Sequence, residues 1–402
     1  MKPATVLSPY AARNYLPLPI VLDRAEGVWV WDEAGKRYLD MLGAYSAASF
    51  GHSHPRLVAA LSRQAARLDT VSRALHARIL DDFLKRACEL TGFDRALPMN
   101  SGAEAVETAL KAARKWGYEV KKVQPDQAQI ICCEGNFHGR TIAITAMSSI
   151  PQYRQGFGPY PAGFVAVPFG DADALASAIT PNTAAFLVEP IQGEGGIVVP
   201  PQGYLAPAAE ICRANNVLLI ADEIQTGLCR TGRLLASWHD GIEPDAITLG
   251  KALGGGLIPV SLFLARREVI DVFRPGDHGS TFGGNPIASA VGVEALNLLV
   301  EDELCTRSAE LGAYFLAALH NIESPLIREV RGRGLFIGLE VDAKLASAES
   351  LVNRLIARGI LTKDTHRNTV RFAPPLTIER SEIDWAVNEI ESALGELEKR
   401  LS

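Results

Sequence analysis

Paired cysteine motifs and histidine clusters for metal or redox chemistry are missing from this sequence. Its 402 residues include six cysteines, none spaced as CxxC, at positions 88, 132, 133, 212, 229 and 305. Cys132 and Cys133 are adjacent in an apolar run, so we expect reduced cysteines that pack in the core, as is typical of cytosolic proteins. His52 and His54 lack the accompanying carboxylates or cysteines of a metal site, and we interpret them as loop-structuring residues.

Long hydrophobic runs and strong net charge are also lacking. No uninterrupted apolar segment reaches the length of about 20 residues that a membrane-spanning helix needs. The first 20 residues have no apolar core, so we expect neither a secretory signal nor a transit peptide. A net charge of -6 and an isoelectric point near 5.8 disfavour a broad nucleic-acid surface. We expect a cytoplasmic protein without membrane or nucleic-acid partners.

The sequence does contain a succession of short apolar runs separated by helical segments. Such near-continuous runs predict strands buried on both faces of a parallel sheet, and they occupy residues 129–133, 184–188, 217–221, 246–249 and 260–265. A helix over 206–215 fits the crossover between two of these strands. With 48% hydrophobic residues, the chain has enough material for about two to three domains. The pattern therefore predicts an α/β protein.

Two charged residues follow two of the predicted strands. Asp222 ends the apolar run 217–221, and Lys251 comes two residues after the run 246–249. Ligands bind at the carboxyl ends of strands in open α/β sheets, so both side chains are expected at one crevice. Pyridoxal phosphate chemistry needs a lysine that forms a Schiff base and a carboxylate that keeps the pyridine nitrogen protonated. The alternative is a pair of surface charges at two strand ends.

Two segments could bind a phosphate group. Ser101 and Glu104 have the spacing of a capping box at a helix start, and Gly102 allows close approach of a ligand to the backbone. A helix N-terminus offers free N–H groups and a favourable dipole to an anion. Ser280 and Thr281 lie in a loop of small residues, from which their hydroxyls could reach a phosphate. An ordinary capped helix is the alternative for the first segment.

Further polar and aromatic residues lie in glycine-containing loops after predicted strands. Phe137 and His138 are planar and could stack on a cofactor ring, and Arg140 could grip a carboxylate with two hydrogen bonds. Core packing is the alternative for the two rings. Glu194 is flanked by glycines beyond another strand end, where it is either a mobile site residue or part of a surface turn.

Taken together, the motifs resemble those of a known family. The chain contains, in this order, SGAEAVETALKAARKW, NFHGR, VEPIQGEGG, ADEIQTG, LGKALGGG and HGSTFGGNP. This set resembles the class III, pyridoxal-phosphate-dependent aminotransferases of fold type I, and among them most closely the ornithine δ-aminotransferase family. The resemblance implies an N-terminal arm (1–45), a large domain (46–302) with a mostly parallel seven-stranded sheet flanked by helices, and a smaller α+β domain (303–402).

The resemblance also implies roles around the cofactor, pyridoxal 5'-phosphate. Lys251 would be the Schiff-base lysine, and Asp222 the partner of the pyridine nitrogen. Thr281, with Ser280, would contact the phosphate of the neighbouring subunit, which implies a homodimer with shared active sites. Further residues expected at the cofactor are Gly102, Ala103, Phe137, His138, Glu189 and Gln225.

On the substrate side, the resemblance implies transfer of the δ-amino group of ornithine to 2-oxoglutarate. Tyr15 would recognise the α-amino group of ornithine, Tyr45 would line the pocket, and Arg140 would hold the α-carboxylate. Glu194 would cover Arg371 while ornithine is bound and release it to bind 2-oxoglutarate. The products would be glutamate and glutamate semialdehyde, which cyclises to pyrroline-5-carboxylate, and such a reaction serves proline formation or arginine breakdown.

One residue departs from the pattern of animal ornithine enzymes. His138 stands where those enzymes carry tryptophan, and a histidine there is familiar from acetylornithine-type relatives. Acetylornithine, 4-aminobutyrate and lysine ε-transamination therefore stay open as alternatives, as does an amino-acid racemase on the same fold. A catalytically silent regulatory protein is disfavoured, because it would tolerate the loss of Lys251, Asp222 and Arg140.

Overall fold

A seven-stranded sheet forms the centre of the molecule. The computed structural model describes residues 10–400. Within that range the strands of this sheet lie in the spatial order Arg95–Met99, Ser261–Ala265, Ala246–Leu249, Leu218–Asp222, Thr183–Val188, Gln129–Cys133 and Phe164–Val167. Ser261–Ala265 runs antiparallel to both of its neighbours, and the other pairings are parallel. The predicted mostly parallel, seven-stranded sheet is confirmed.

Alternate residues of the central strands pack into two separate hydrophobic clusters. Ile130 and Cys132 belong to a cluster that includes Trp116, whereas Ile131 and Cys133 belong to one that includes Leu205. Side chains alternate between the faces of a strand, so both faces of this sheet are buried under helices. Removing each large apolar side chain from water stabilises the fold by about 1.5–3 kcal/mol.

Helices connect and cover these strands. Between residues 55 and 301 the α-helices are Pro55–Ala65, Arg78–Thr91, Gly102–Glu119, Ile142–Ala146, Pro151–Arg154, Ala172–Ala178, Leu205–Ala214, Arg267–Ile270 and Pro286–Glu301. Short helical turns also occur at Gly43–Ser46, Ala236–Asp240 and Lys251–Gly254. The helix Gly102–Glu119 packs closely on the sheet, because a Cβ on Gly117 would lie 3.0 Å from the Cβ of Ala184.

Two smaller sheets complete the described chain. One contains the strands Leu22–Glu26, Trp29–Asp32, Arg37–Asp40 and Ile360–Leu361, and the other contains Ile327–Gly332, Ile337–Val341, Thr369–Phe372 and Lys363–Thr365. Three helices accompany them, namely Leu304–His320, Ala348–Ala357 and Arg380–Glu398. Arg37–Asp40 pairs in parallel with Ile360–Leu361, so the N-terminal hairpin joins the C-terminal part of the chain. The predicted domain boundaries after residues 45 and 302 stay predictions.

The expectation that all cysteines are reduced is wrong for two of them. Cys229 and Cys305 form a disulfide, whereas Cys88, Cys132, Cys133 and Cys212 are free. The two bonded residues are 76 positions apart, and their spacing gives no sign that the fold brings them together. Between residues 10 and 400, no helix is both long and apolar enough to cross a membrane.

Candidate active site

A cavity lies at the carboxyl ends of the central parallel strands, where open α/β sheets bind their ligands. Its volume is about 170 Å³, and it is lined by Gly102, Ala103, Phe137, His138, Gly139, Glu189, Asp222, Ile224, Gln225 and Lys251. Asp222 is the last residue of one strand, and Lys251 follows the adjacent strand Ala246–Leu249. The structure thus brings these two residues, and most of the expected cofactor contacts, to one cavity.

Three donors fix the orientation of the Asp222 carboxylate, which is only 4% exposed. Oδ1 accepts hydrogen bonds from Thr248 Oγ1 at 2.9 Å and from the backbone N–H of Ile224 at 3.2 Å. Oδ2 lies 2.6 Å from Nδ1 of His138. A buried carboxylate held by hydrogen bonds is oriented and favours a positive partner in the cavity.

His138 is therefore bonded to Asp222 through the edge of its ring. Burial disfavours charge on the imidazole, but the hydrogen bond to Asp222 and the charges of Asp222 and Glu189 outweigh it and raise the pKa of His138. The sequence offered no signal for this contact, because the two residues lie 84 positions apart. Thr248 was also missed, since a single hydroxyl inside an apolar strand looks like an ordinary core residue.

Glu189 holds the backbone of two loops at the cavity wall. Its Oε1 accepts a hydrogen bond from the N–H of Phe137 at 2.9 Å, and its Oε2 accepts one from the N–H of Gly193 at 3.2 Å. Burial raises the pKa of this carboxyl group to about 7, although the charge of His138 opposes the shift. Glu189 can therefore exchange a proton near neutral pH.

The amine of Lys251 is set up to be a nucleophile. Burial lowers the pKa of Lys251 to about 8; the charge of Glu194 opposes this shift, and that of Arg371 adds to it. The backbone of Lys251 is left-handed, with φ of 45°, which is uncommon for a residue with a side chain. Such backbone strain is found where the surrounding structure fixes a functional residue.

The N-terminus of the helix Gly102–Glu119 forms another wall. Ser101 Oγ accepts a hydrogen bond from the N–H of Glu104, and Glu104 Oε2 accepts one from the N–H of Ser101 at 2.6 Å, so the predicted capping box is present. Gly102 and Ala103, in the first turn, line the cavity. A Cβ on Gly102 would lie 3.0 Å from Ile224, so only glycine fits without displacing that side chain.

Two buried nitrogen atoms in the cavity wall lack a hydrogen-bond partner within the described chain. They are Nε2 of His138 and Nε2 of Gln225. Gln225 approaches the loop that Glu189 holds, because a Cβ on Gly193 would lie 2.0 Å from Gln225 Oε1. Buried polar atoms are nearly always paired in native proteins, so unpaired ones beside a cavity indicate a polar ligand.

Glu194 and Arg371 come together beside Lys251. Arg371 Nη1 donates a hydrogen bond to Glu194 Oε1, and the arginine is 1% exposed. Burial would raise the pKa of Glu194, but the charges of Arg371 and Lys251 outweigh it and hold this pKa below its usual value. The ring centroid of Tyr45 lies 4.8 Å from Cζ of Arg371. Tyr45 itself has a left-handed backbone, with φ of 60°.

Arg140 stacks on aromatic side chains. Its Cζ lies 3.6 Å from the ring centroid of Tyr153 and 5.4 Å from that of Phe137. Tyr153 was not singled out from the sequence, although it begins a long aromatic loop rich in glycine and proline. The position of Tyr153 at the start of this loop was the signal that could have indicated a role at the site.

Of the residues predicted for the site, those that do not line this cavity are Tyr15, Tyr45, Arg140, Glu194, Ser280, Thr281 and Arg371. Tyr15 is 76% exposed, and Thr281 is exposed. Ser280 Oγ accepts a hydrogen bond from Asn100 Nδ2 at 2.8 Å, next to the helix start at Ser101. The roles assigned to these and to the other site residues stay predictions.

A sheet with a buried lysine and carboxylate at its carboxyl edge is the arrangement of a pyridoxal-phosphate enzyme of fold type I. The family model for class-III aminotransferases matches residues 10–394, and the chain belongs to this family. It is 54% identical to an ornithine aminotransferase of Bacillus subtilis over 387 residues, which is 96% of each chain. Among solved structures, it is similar to the ornithine aminotransferase of Toxoplasma gondii, with a TM-score of 0.96, 47% identity, and 98% and 93% of the two chains covered. It is also similar to the acetylornithine aminotransferase of Elizabethkingia anophelis, with a TM-score of 0.87, 45% identity and 96% of each chain covered.

Class III aminotransferases depend on pyridoxal phosphate, and the cavity fits this cofactor. The capped helix start at Gly102 suits its phosphate, and the oriented carboxylate of Asp222 suits its pyridine nitrogen. The unpaired nitrogens of His138 and Gln225 indicate a polar ligand, and Lys251 supplies the amine that the aldehyde needs. The phosphate, the ring nitrogen and the aldehyde of the cofactor therefore each have a matching group in the wall.

Proposed function

We propose that this protein is an ornithine δ-aminotransferase that uses 2-oxoglutarate as amino acceptor. The observation that carries the proposal is the partly buried ion pair of Glu194 and Arg371 beside Lys251, with Tyr45 packed on the arginine. Such a pair can mask a carboxylate site for one substrate and open it for another. The names of the relatives support ornithine as the amino donor.

Different residues around the cofactor site have different roles in proton transfer. When bound, pyridoxal phosphate supplies an aldehyde that accepts amino groups and a cationic ring that withdraws electrons. Asp222 would keep a proton on the ring nitrogen, and Thr248 and His138 fix the two carboxylate oxygens of Asp222. Lys251 would hold the cofactor through its aldehyde. Once the substrate has displaced it, the amine of Lys251 would serve as the general base and acid for the proton at the δ-carbon of ornithine.

Arg140 and the two tyrosines orient ornithine so that its δ-amine meets the aldehyde. Arg140 holds the α-carboxylate through charge-assisted hydrogen bonds, and its stacking on Tyr153 limits its motion. Tyr15 recognises the α-amino group, and Tyr45 lines the channel between this group and Lys251. Binding at the distant end of the substrate thus selects the δ-amine rather than the α-amine for reaction.

Glu194 and Arg371 allow one site to accept two unlike substrates in turn. While ornithine is bound, Glu194 neutralises Arg371, so no unpaired cation faces the aliphatic chain. When 2-oxoglutarate enters, Glu194 moves away and Arg371 binds a carboxylate. The exchange is physically reasonable because 2-oxoglutarate replaces one carboxylate partner of Arg371 by another, and the buried guanidinium is never left without a counter-charge.

The second candidate is acetylornithine aminotransferase. His138 in the NFHGR motif and the similarity to the enzyme of Elizabethkingia anophelis favour it. N-acetylornithine has no free α-amine, so an enzyme for that substrate would not need Tyr15.

We further propose a cytoplasmic homodimer in which Ser280 and Thr281 reach the phosphate site of the partner subunit. Both residues lie outside the cavity of their own chain, and Thr281 is exposed, which supports a role in the neighbouring site. The reaction would serve proline formation or arginine breakdown. A monomer in sedimentation measurements on the active enzyme would contradict the shared site.

The test of the proposed function is a comparison of amino donors. Purified protein with pyridoxal phosphate and 2-oxoglutarate is given ornithine, N-acetylornithine or 4-aminobutyrate, and glutamate is measured in each case. We expect ornithine to give the highest kcat/KM, with pyrroline-5-carboxylate as the second product. Absence of that product, together with turnover of N-acetylornithine, would overturn the choice of substrate in favour of the second candidate.

A further inference from the structure

Tyr153 supports the arginine that is expected to hold the substrate carboxylate. Cζ of Arg140 lies 3.6 Å from the ring centroid of Tyr153. The edge of the ring meets Phe137, with centroids 6.2 Å apart and the planes at 81°. A guanidinium over an aromatic face is attracted by the negative charge density of the ring. Because Phe137 lines the cavity, this contact keeps the guanidinium next to the cavity wall.

The hydroxyl of Tyr153 contacts a different part of the chain. It lies 3.1 Å from Nε2 of His366, and the two rings meet edge to face with centroids 6.2 Å apart. His366 follows the strand Lys363–Thr365, in the turn that leads to the strand Thr369–Phe372. The second strand of this hairpin carries Arg371. Tyr153 therefore contacts Arg140 directly and reaches the hairpin of Arg371 through His366.

The same hairpin also holds the partner of Arg371. Thr365 Oγ1 donates a hydrogen bond of 2.7 Å to the backbone carbonyl of Glu194. The hairpin turn is well defined, because Arg367 and Asn368 both have left-handed backbones and Asn368 Nδ2 donates to the carbonyl of Val341 at 2.8 Å. The link from Tyr153 thus ends on a fixed element rather than on a free loop.

We propose that Tyr153 is a positioning residue that sets the separation between the two arginines of the site, Arg140 and Arg371, through its ring and through its bond to His366. The inference rests on the proposed function, in which 2-oxoglutarate follows ornithine into the site. 2-Oxoglutarate has a carboxylate at each end and can meet both arginines at once. Ornithine has one carboxylate, so of the two arginines it needs only Arg140.

The ring and the hydroxyl of Tyr153 therefore have separable effects. Loss of the ring frees the guanidinium of Arg140, whose long side chain has many rotamers, so that both substrates bind less well. Loss of the hydroxyl leaves Arg140 on the ring but releases the hairpin of Arg371. Because the hydroxyl also interacts with the Arg140 side chain, His366→Leu is the variant that breaks the link to the hairpin alone. A small error in the distance between two carboxylate sites weakens only the substrate that occupies both of them.

The experiment measures KM and kcat for the amino donor and for 2-oxoglutarate in four variants. Tyr153→Phe and His366→Leu each remove the link, and we expect each to raise KM for 2-oxoglutarate about fivefold with little change in KM for the donor. In the double variant the effect should not increase, because both changes break one contact. Tyr153→Leu should raise both KM values about tenfold, since the guanidinium loses its platform.

Tyr160→Phe is the matched control, because it removes a phenol hydroxyl that donates to the carbonyl of Arg154 in the same segment. It should leave both KM values unchanged. Equal effects of His366→Leu on both substrates, no effect of it on either, or the same effect in Tyr160→Phe would overturn the inference. If Tyr153→Leu fails to fold, the two single variants that break the link still decide the question. If the wild type does not use ornithine, the proposed function is overturned but the inference about Tyr153 is not. The KM values of the variants are then compared with the amino donor that the wild type does use.

Discussion

At the scale of the residue, burial decides the chemistry of Lys251. In water a lysine amine is almost fully protonated at neutral pH and does not attack carbonyl groups. Here burial lowers the pKa to about 8, and Glu194 opposes the shift. More of the amine is then neutral at pH 7 than in an exposed lysine, so it can react while a proton is still available for transfer.

The pH dependence of cofactor binding follows from this pKa. Only the neutral amine of Lys251 is a nucleophile, so the rate at which apoprotein gains the visible absorbance of the bound cofactor should rise with pH and level off above about 8. The measurement is stopped-flow absorbance after mixing apoprotein with pyridoxal phosphate. Lys251→Ala should lack this absorbance and all measurable turnover. A rate that still rises steeply above about pH 10, as for an unperturbed lysine, would contradict the role of burial.

At the scale of the element, the helix Gly102–Glu119 serves both the fold and the site. The capping box of Ser101 and Glu104 satisfies two of the first free N–H groups, and the turn that it starts lines the cavity. The cap therefore holds the cavity-facing backbone in place at the same time as it stabilises the helix.

Removing the cap should affect stability and cofactor affinity together. Ser101→Ala should lower the free energy of unfolding of the apoprotein by about 0.5–2 kcal/mol and should also weaken pyridoxal phosphate binding. Ser347→Ala is the matched control, because Ser347 caps the helix Ala348–Ala357 by accepting from the N–H of Ser350, away from the cavity. It should cost similar stability and leave cofactor affinity unchanged. Urea unfolding and cofactor titration provide the two measurements, and equal affinity in both variants would refute the double role.

Local patterns explain which elements could be predicted from the sequence. The apolar run 217–221 and the spacing of Ser101 and Glu104 are properties of a few adjacent residues. The structure has the strand at Leu218–Asp222, one residue from the predicted run, and the capping box where it was predicted. The bond between His138 and Asp222 joins residues 84 positions apart, and no local pattern reports it. The stacking of Arg140 on Tyr153 likewise depends on how two separate segments of the chain meet. The missed parts of the site are thus contacts between elements rather than elements.

At the scale of the whole molecule, buried contacts tie distant segments of the chain around the site. Arg230 is 1% exposed and donates hydrogen bonds to Ser49 Oγ at 2.8 Å, to the carbonyl of Leu335 at 2.9 Å and to that of Pro374 at 2.6 Å. A buried guanidinium is costly to desolvate, and these bonds offset part of the cost. Next to it in sequence, Cys229 is bonded to Cys305, so one short loop after Asp222 anchors several parts of the fold.

The disulfide should therefore be detectable and should stabilise the protein. Alkylation of the unreduced, denatured enzyme should label Cys88, Cys132, Cys133 and Cys212 and leave Cys229 and Cys305 joined in one peptide pair.

Cys305→Ser should lower the free energy of unfolding by about 2–4 kcal/mol, because a crosslink that closes a long loop restricts the unfolded chain. Cys88→Ser, at a free and half-buried cysteine, is the control and should change this free energy far less. Labelling of all six cysteines without reduction would show that the two thiols are only neighbours in the folded enzyme.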